Sequence, residues 1–130
     1  PVYYMGTVDA SCALKLISNL IGMTNLAVLA EGMRIGEAAG IEPKFLLELL
    51  QDTGARSFQM DVRGPWIIEG DFASRFGLDL AFKDVRLGVE MAQAWGNEAK
   101  TMQSCLEYLR RGHEQGLGKE DCNAMYKVIK

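Results

Sequence analysis

Hydrophobic and polar residues recur along this chain with the spacing of helices, in segments that glycines separate. The longest apolar segment covers residues 10–39, and Gly40, Ile41 and Pro43 follow it. Glycine, then an apolar residue, then proline is a common sequence at the end of a helix. The pattern therefore predicts one long helix. Its apolar residues lie all around its circumference, as in a helix that is buried in a larger assembly or a membrane.

The rest of the chain predicts shorter helices. They cover residues 44–52 after Pro43, 57–69 with Ser57 as N-cap and a bend or break at Gly64-Pro65, 80–95 with Asp79 as N-cap, 100–111 before Gly112, and 122–126 with Asp121 as N-cap. No segment alternates with a period of two over more than a few residues, so we expect no strands. The predicted fold is all-α, a single domain of residues 1–130 formed as a helical bundle around one long N-terminal helix.

A narrow polar strip interrupts the apolar surface of the first helix. It consists of Lys15, Ser18, Asn19, Gly22 and Asn25, which are three or four residues apart and therefore share one side. Such a strip is typical of a helix that lines a wet cleft. A lysine on an ordinary solvated surface gives the same pattern, so both interpretations stay open.

Composition and charge exclude several classes of partner. Hydrophobic residues make up 48% and charged residues 24% of the 130 residues, as in ordinary soluble globular proteins. The net charge of −3 provides no basic face for nucleic acid. Polar residues interrupt the apolar segment too often for a membrane span, and no basic residues precede it as they would in a signal peptide. We therefore expect neither nucleic acid nor a membrane as a partner.

The cysteines indicate the compartment. Cys12, Cys105 and Cys122 are odd in number and have no CxxC spacing. This usage predicts free thiols in a reducing compartment, hence a cytoplasmic location, and neither a disulfide framework nor a metal site.

Two groups of polar residues are candidates for chemistry. Burial disfavours the charged form of an ammonium group, so a partly desolvated Lys15 would exchange a proton with a substrate oxygen near neutral pH. Asn19, about 6 Å further along the helix, offers a donor and an acceptor to a substrate hydroxyl or carboxylate. The second group, Lys83, Asp84 and Arg86, is also compatible with a solvated helix surface.

His113, the only histidine, follows Gly112 in a polar stretch. We predict a surface position without partners for a catalytic triad. The glycines of residues 112–118 form no phosphate-binding motif, and no strand precedes them.

Several short blocks follow one another along the chain. They are residues 6–19 with Lys15 and Asn19, residues 25–32, residues 39–41, Asp71-Phe72, Phe76, residues 78–84 with Lys83 and Asp84, and residues 118–121. This order resembles the C-terminal helical domain of the β-hydroxyacid dehydrogenases, which is similar in fold to the C-terminal domain of 6-phosphogluconate dehydrogenase. The family includes 3-hydroxyisobutyrate dehydrogenase, tartronate semialdehyde reductase and the glyoxylate/succinic semialdehyde reductases.

The resemblance implies a role for each matching residue. Lys15 matches the catalytic lysine, the general acid and base at the hydroxyl or carbonyl oxygen. Asn19 matches the asparagine that holds the substrate and the lysine. Lys83 matches a lysine that reaches the nicotinamide cofactor. Phe76 and Asp84 match positions that support the active site of the reductases, on the cofactor side and the substrate side.

The resemblance also implies an intact enzyme larger than this chain. Such an enzyme transfers hydride between NAD or NADP and a small β-hydroxy acid or its semialdehyde. Separately, a long apolar helix without its partner domain predicts self-association, as a homodimer or homotetramer. The dinucleotide of the enzyme is held mainly by an N-terminal Rossmann domain, which the sequence from Pro1 onward does not contain. The hypothesis is that this chain is the C-terminal half and is inactive alone. Where the family has further glycines before the lysine, this chain has Asp9 and Ser11.

A competing hypothesis is a helical module that keeps the fold without chemistry. In that case the apolar first helix and its small residues would serve self-association. The presence of Lys15 speaks against the catalytically silent relatives of the family, which have lost this lysine.

Overall fold

The computed structural model describes residues 10–130, and all of its regular elements are helical. The helices are α1 (Ala10–Ala38), α2 (Pro43–Leu50), α3 (Phe58–Glu69), α4 (Leu78–Ala94), α5 (Lys100–Glu114) and a C-terminal 3₁₀ helix (Cys122–Val128). Within this part of the chain the β-type pairing consists of one isolated bridge, between Gly77 and Asp121. The predicted all-α fold is confirmed.

Helix α1 is the centre of the bundle, since it contacts every other helix. By length and composition alone α1 also qualifies as a membrane span, a criterion that the core helix of a bundle meets as well. Gly88 of α4 permits close packing against Leu20 of α1. A Cβ atom at Gly88 would lie 2.7 Å from Cγ of the buried Leu20.

Helix α1 ends as predicted, and α2 begins with a cap that the sequence analysis did not identify. Gly40 adopts a left-handed conformation with φ +79°, and the Ile41 amide donates to the Gly36 carbonyl. The Glu42 carboxylate then accepts hydrogen bonds from the amides of Lys44 and Phe45. Glutamate is an unusual N-cap, which is why the pattern of Pro43 alone located this helix.

Gly64-Pro65 does not split the helix, because α3 is one helix with Pro65 inside it, and the bend stays a prediction. Ser57 caps the helix as predicted by accepting from the Met60 amide. Gly64 faces α2, and a Cβ atom there would lie 2.7 Å from Cδ1 of Leu47. The glycine therefore serves close helix packing, and this packing offsets the hydrogen bond that Pro65 removes.

Two further boundaries differ from the prediction. Gly77, not Asp79, is the N-cap of α4, because the carbonyls of Glu120 and Gly118 accept from the amides of Leu78 and Asp79. Helix α5 does not stop before Gly112 but continues to Glu114. A Cβ atom at Gly112 would lie 2.7 Å from Cδ1 of Leu78, so this glycine permits close packing and does not end the helix.

A buried ion pair holds the C-terminal segment on the bundle. Asp121 is fully buried, and its Oδ2 accepts from Nε of Arg63 at 2.9 Å. The same carboxylate accepts from the amides of Arg75, Phe76 and Asn123, the last as the predicted N-cap. Burial by itself raises the pKa of Asp121, but the hydrogen bonds from Arg63 and the three amides outweigh it and hold the pKa below its usual value. Asp121 thereby fixes the loop before α4.

Candidate active site

Two of the predicted site residues are in contact in the structure. Nδ2 of Asn19 on α1 donates to Oδ2 of Asp84 on α4 at 2.8 Å, in a partly buried position. The two residues are 65 positions apart in the sequence. The contact lies next to the close approach of α4 to α1 at Gly88. The fold therefore brings the two predicted substrate residues together.

The Asp84 carboxylate also defines how the Asn19 amide is presented. An ionised carboxylate only accepts hydrogen bonds, so the Asn19 amide turns its NH₂ group toward Asp84. This orientation leaves the second N–H and the carbonyl oxygen of Asn19 for other partners. Asn19 can therefore both donate a hydrogen bond to a polar ligand and accept one from it.

Lys15 lies one turn before Asn19 on α1 and is exposed. Ser18 and Asn25 of the same polar strip are exposed as well, whereas Gly22 is half-buried. The strip therefore borders solvent in the described part of the chain. Residues 10–130 do not supply the desolvation that the sequence analysis expected for a catalytic lysine.

The predicted cofactor residues, Lys83 and Phe76, lie on α4 and in the loop before it. Lys83 directly precedes Asp84 on α4 and is exposed. Phe76 lies eight residues before Asp84 in the loop, where it is half-buried against the core. Its amide donates to Oδ1 of Asp121 at 2.9 Å and its carbonyl accepts from the Cys122 amide. These two hydrogen bonds hold the backbone of Phe76 in place.

Sequence analysis missed the partner of His113. Nδ1 of His113 on α5 lies 2.7 Å from Oδ1 of Asp79 on α4, and both side chains are about half exposed. The Phe82 ring packs beside the imidazole with a centroid distance of 5.5 Å. The predicted surface position is correct. The contact joins two helices, so no local signal in the sequence could have revealed it.

The thiols are of two kinds. Cys105 and Cys122 are buried, and burial raises the pKa of each to about 12. Cys12 is exposed. Across residues 10–130 no cluster of three His, Cys, Asp or Glu side chains is arranged to hold a metal ion.

Comparison with known proteins identifies the family. Residues 10–129 match the model of the family described as the NAD-binding domain of NADP-dependent 3-hydroxyisobutyrate dehydrogenase. The chain belongs to this family. The match covers both halves of the Asn19–Asp84 contact and the whole described bundle. It confirms the resemblance to the β-hydroxyacid dehydrogenases and the predicted nicotinamide cofactor, NAD or NADP.

Relatives in this family differ in their names. The chain is 31% identical to 2-(hydroxymethyl)glutarate dehydrogenase of Eubacterium barkeri, over 98% of the chain and 42% of the relative. It is 26% identical to glyoxylate/succinic semialdehyde reductase 2 of Arabidopsis thaliana, over 98% of the chain and 36% of the relative. It is also 29% identical to the cytokine-like nuclear factor N-PAC of Aedes aegypti, over 95% of the chain and 22% of the relative. The chain thus spans less than half the length of these relatives.

A solved structure of a 3-hydroxyisobutyrate dehydrogenase has the same fold as this chain. The 3-hydroxyisobutyrate dehydrogenase of Salmonella typhimurium superimposes with a TM-score of 0.88 at 25% identity, covering 92% of this chain and 42% of that one.

The described residues fit a partial contribution to a nicotinamide site. Lys83 offers an exposed cation beside the Asn19–Asp84 pair. Residues 10–130 contain no strand–helix–strand unit with a glycine-rich turn, which is the usual dinucleotide-binding unit. Most of the contacts to a dinucleotide would therefore come from residues outside this bundle.

Proposed function

We propose that the protein containing this chain is an NAD(P)-dependent dehydrogenase of a small β-hydroxy acid, or a reductase of the corresponding semialdehyde. In this proposal the chain supplies the catalytic lysine, Lys15. The observation that carries the proposal is the hydrogen bond between Asn19 and Asp84. The printed names of two relatives, a hydroxymethylglutarate dehydrogenase and a semialdehyde reductase, support the same reaction class.

Lys15 is the general acid and base of the proposed reaction. In the direction of reduction its ammonium group donates a proton to the carbonyl oxygen as the carbonyl carbon becomes a carbinol. In the direction of oxidation the neutral amine takes that proton back from the hydroxyl. Lys15 is exposed at the edge of the bundle, so closure by the rest of the protein would exclude water from it.

Asn19 and Asp84 position the substrate. The Asn19 amide, oriented by Asp84, keeps one N–H and its carbonyl oxygen for the substrate and the lysine. Because Asn19 lies one helical turn from Lys15, both side chains reach the same polar group. Asp84 acts through Asn19 and is a positioning residue.

Lys83 and Phe76 would contribute to the cofactor site. The nicotinamide, when bound, exchanges the hydride with the carbon that bears the oxygen. The exposed ammonium of Lys83 would attract a polar group of the cofactor, and the held loop would place Phe76 against it.

Steady-state kinetics of the complete protein test the assignment. With NAD(P)H and a panel of small semialdehydes and β-hydroxy acids, Lys15→Ala is expected to lower kcat by about 10²–10⁴-fold. Lys44→Ala, which removes an exposed lysine from α2, is the matched control. Turnover of the Lys15→Ala variant within a few-fold of the control would rule out the proposed role.

A double-mutant cycle tests the positioning pair. If Asp84 acts through Asn19, then Asn19→Ala and Asp84→Ala lower kcat/KM by less in combination than the product of their separate effects. If the two substitutions lower kcat/KM independently, so that their effects multiply, Asp84 does not act through Asn19.

A second candidate is a helical self-association module without catalysis. It is favoured by the relatives named as cytokine-like nuclear factor N-PAC, since that name specifies no reaction. A complete protein that neither binds nor turns over NAD(P)H would support this candidate. For either function we propose a cytoplasmic location, which the free thiols Cys105 and Cys122 support, and a homodimer or homotetramer.

A further inference from the structure

The side chain of Gln59, near the start of α3, is buried with half of its amide unpaired. Gln59 is only 8% exposed, and its Oε1 accepts from Nη1 of Arg63 at 3.0 Å. A guanidinium group only donates hydrogen bonds, so Arg63 holds the amide with its NH₂ group turned to the opposite side. Within residues 10–130 the structure pairs no acceptor with this NH₂ group, and the group is not closed off from solvent.

The NH₂ group of Gln59 lies over the polar strip of α1. A Cβ atom at Gly22 would be 3.4 Å from Nε2 of Gln59. Gly22 has no side chain, so it leaves this NH₂ group uncovered on the side of α1. Gly22 follows Asn19 by three residues, which is about 4.5 Å along the helix axis. The amides of Asn19 and Gln59 therefore border the same side of α1, about one turn apart.

Each of these two amides is held in one orientation by a charged residue. Asp84 orients the amide of Asn19, and Arg63, itself fixed by the buried Asp121, orients that of Gln59. A buried N–H group without an acceptor destabilises the folded chain, so each such group calls for an explanation. An acceptor that comes from outside the bundle, beside the proposed catalytic residues, supplies one.

The start of α3 favours an acceptor with negative charge. The amides in the first turn of a helix have no partner within that helix, and Ser57 accepts from two of them. The amides of Phe58 and Gln59 remain, and their partial positive charge attracts anions. The acidic residue of this turn, Asp61, is paired with Arg56 at 3.2 Å. Its charge is therefore compensated.

A groove adjoins this position and leaves room for a ligand. It has a volume of about 330 Å³ and lies between α1, α2 and the start of α3. Asn25 and Ser57 are its polar lining residues, and no acidic side chain lines it. Asn25 follows Gly22 by three residues, so the groove continues the polar strip by one further turn. Its volume is within the range of small-molecule sites.

We infer that Gln59 binds the far end of the substrate and that this end carries a second carboxylate. The inference rests on the proposed function, which places the reacting carbon at Lys15 and Asn19. From there a short carbon branch extends along α1 over Gly22, and Nε2 of Gln59 donates to the carboxylate of the branch. Gln59 thus determines specificity, and Arg63 is its positioning residue.

The inferred substrate class is a β-hydroxy acid, or the corresponding semialdehyde, with a short branch that ends in a carboxylate. An apolar branch fits less well. It would remove water from the NH₂ group of Gln59 without supplying an acceptor.

Steady-state kinetics of the complete protein with a matched pair of substrates test the inference. The two substrates are β-hydroxy acids that are identical at the reacting carbon. One carries a two-carbon branch that ends in a carboxylate, and the other carries a propyl branch. For the wild type we expect kcat/KM to be about 10–100-fold higher with the carboxylate branch, the effect of one hydrogen bond to a charged group.

Two variants of Gln59 distinguish recognition from a structural role. Gln59→Glu keeps an acceptor for Arg63 and puts a carboxylate oxygen in place of the NH₂ group. It should lower kcat/KM for the carboxylate branch by about 10²-fold, mainly through KM, and change kcat for the propyl branch only a few-fold. Gln59→Leu should bring kcat/KM for the two substrates within a few-fold of each other. Gln93→Leu, at an exposed glutamine of α4, is the matched control and should keep the wild-type preference.

Three outcomes would overturn the inference. They are a wild type that turns over both substrates equally well or prefers the propyl branch, Gln59 variants that keep the wild-type preference, and Gln59 variants that lose activity equally with both substrates. The last outcome would make Gln59 a structural residue. In all three the proposed function stands, because the wild type is still a dehydrogenase. A wild type that turns over neither these two substrates nor any other β-hydroxy acid or semialdehyde would overturn the proposed function and the inference with it.

Discussion

The ion pair between Arg63 and Asp121 gives a prediction with an asymmetric outcome. Asp121 accepts from Nε of Arg63 at 2.9 Å and from the amides of Arg75, Phe76 and Asn123 at 2.9–3.1 Å. Arg63 is only 8% exposed. We compare Asp121→Ala with Arg63→Met, because the first variant leaves the Arg63 guanidinium and three backbone amides without their acceptor, whereas the second leaves Asp121 with its three amide donors.

The magnitudes follow from these contacts. Leaving a buried charge without its partner costs about 3–5 kcal/mol, and each stranded amide adds about 1 kcal/mol or more, although such terms do not sum fully. We therefore expect Asp121→Ala to cost at least about 4 kcal/mol. Arg63→Met leaves the buried Asp121 without its counter-charge but keeps the three amide bonds to it, so we expect a smaller cost of about 3 kcal/mol.

Hydrogen exchange read by mass spectrometry measures the difference within the complete protein. Peptides that cover α3, the 71–77 loop and the 3₁₀ helix report the free energy of local opening. Since 1.4 kcal/mol corresponds to a factor of ten, we expect protection there to fall about 10³-fold or more in Asp121→Ala and about 100-fold in Arg63→Met. Equal losses of protection in the two variants, or a larger loss in Arg63→Met, would refute the view that Asp121 is the residue that joins these segments.

The same carboxylate predicts a pH dependence. The pKa of Asp121 is lowered in the folded protein, so its contribution to stability is present above the ordinary value of 3.8 and is lost as the pH falls through the folded value. A protonated Asp121 resembles asparagine. The difference in Tm between the wild type and Asp121→Asn should therefore shrink progressively below about pH 4. A difference that stays constant down to pH 2 would contradict this assignment.

Two further predictions concern packing and thiols. Gly88→Ala should cost about 1–3 kcal/mol by overpacking, because its Cβ atom would lie 2.7–2.9 Å from three atoms of Leu20. Gly22→Ala is the control, because its Cβ atom would lie 3.4 Å from Nε2 of Gln59. Thermal unfolding should give a lower Tm for Gly88→Ala than for Gly22→Ala. Equal Tm values would contradict the packing argument. Ellman's reagent at pH 8 should modify Cys12 rapidly but Cys105 and Cys122 only after unfolding. The reason is that burial raises the pKa of Cys105 and of Cys122 to about 12. Fast reaction of Cys105 or Cys122 in the native protein would contradict their burial.

Local signals in the sequence predicted much of the fold and part of the candidate site. The repeat of apolar residues over 10–39, the cap Ser57 and the cap Asp121 located elements correctly, because each acts within one turn of the chain. Glycine was harder to interpret. Gly40 ends a helix by its positive φ, whereas Gly112 lies within one and makes room for Leu78. The same residue type serves backbone conformation or close packing, and only a neighbour distant in sequence distinguishes the two.

In the candidate site, too, the sequence indicated individual residues but not the contacts between residues far apart in the chain. The resemblance in sequence predicted that Asn19 and Asp84 serve one substrate, but the hydrogen bond between them exists only because α4 packs across α1 at Gly88. The pairing of Asp79 with His113 had no signal in the sequence, since nothing near either residue indicates the other.

Local patterns thus indicated the all-α fold, the long first helix, the family resemblance and the candidate residues Lys15, Asn19, Lys83 and Asp84. Periodicity, caps and motif order are properties of neighbouring residues, and a single chain displays them directly. Packing of the helices, in contrast, brings Asn19 to Asp84 and joins Arg63 and the loop before α4 to Asp121. It also leaves Leu14, Ile21, Val28 and Ile35 exposed. Which face of an apolar helix is buried depends on how the other helices pack against it, and no local pattern contains that information.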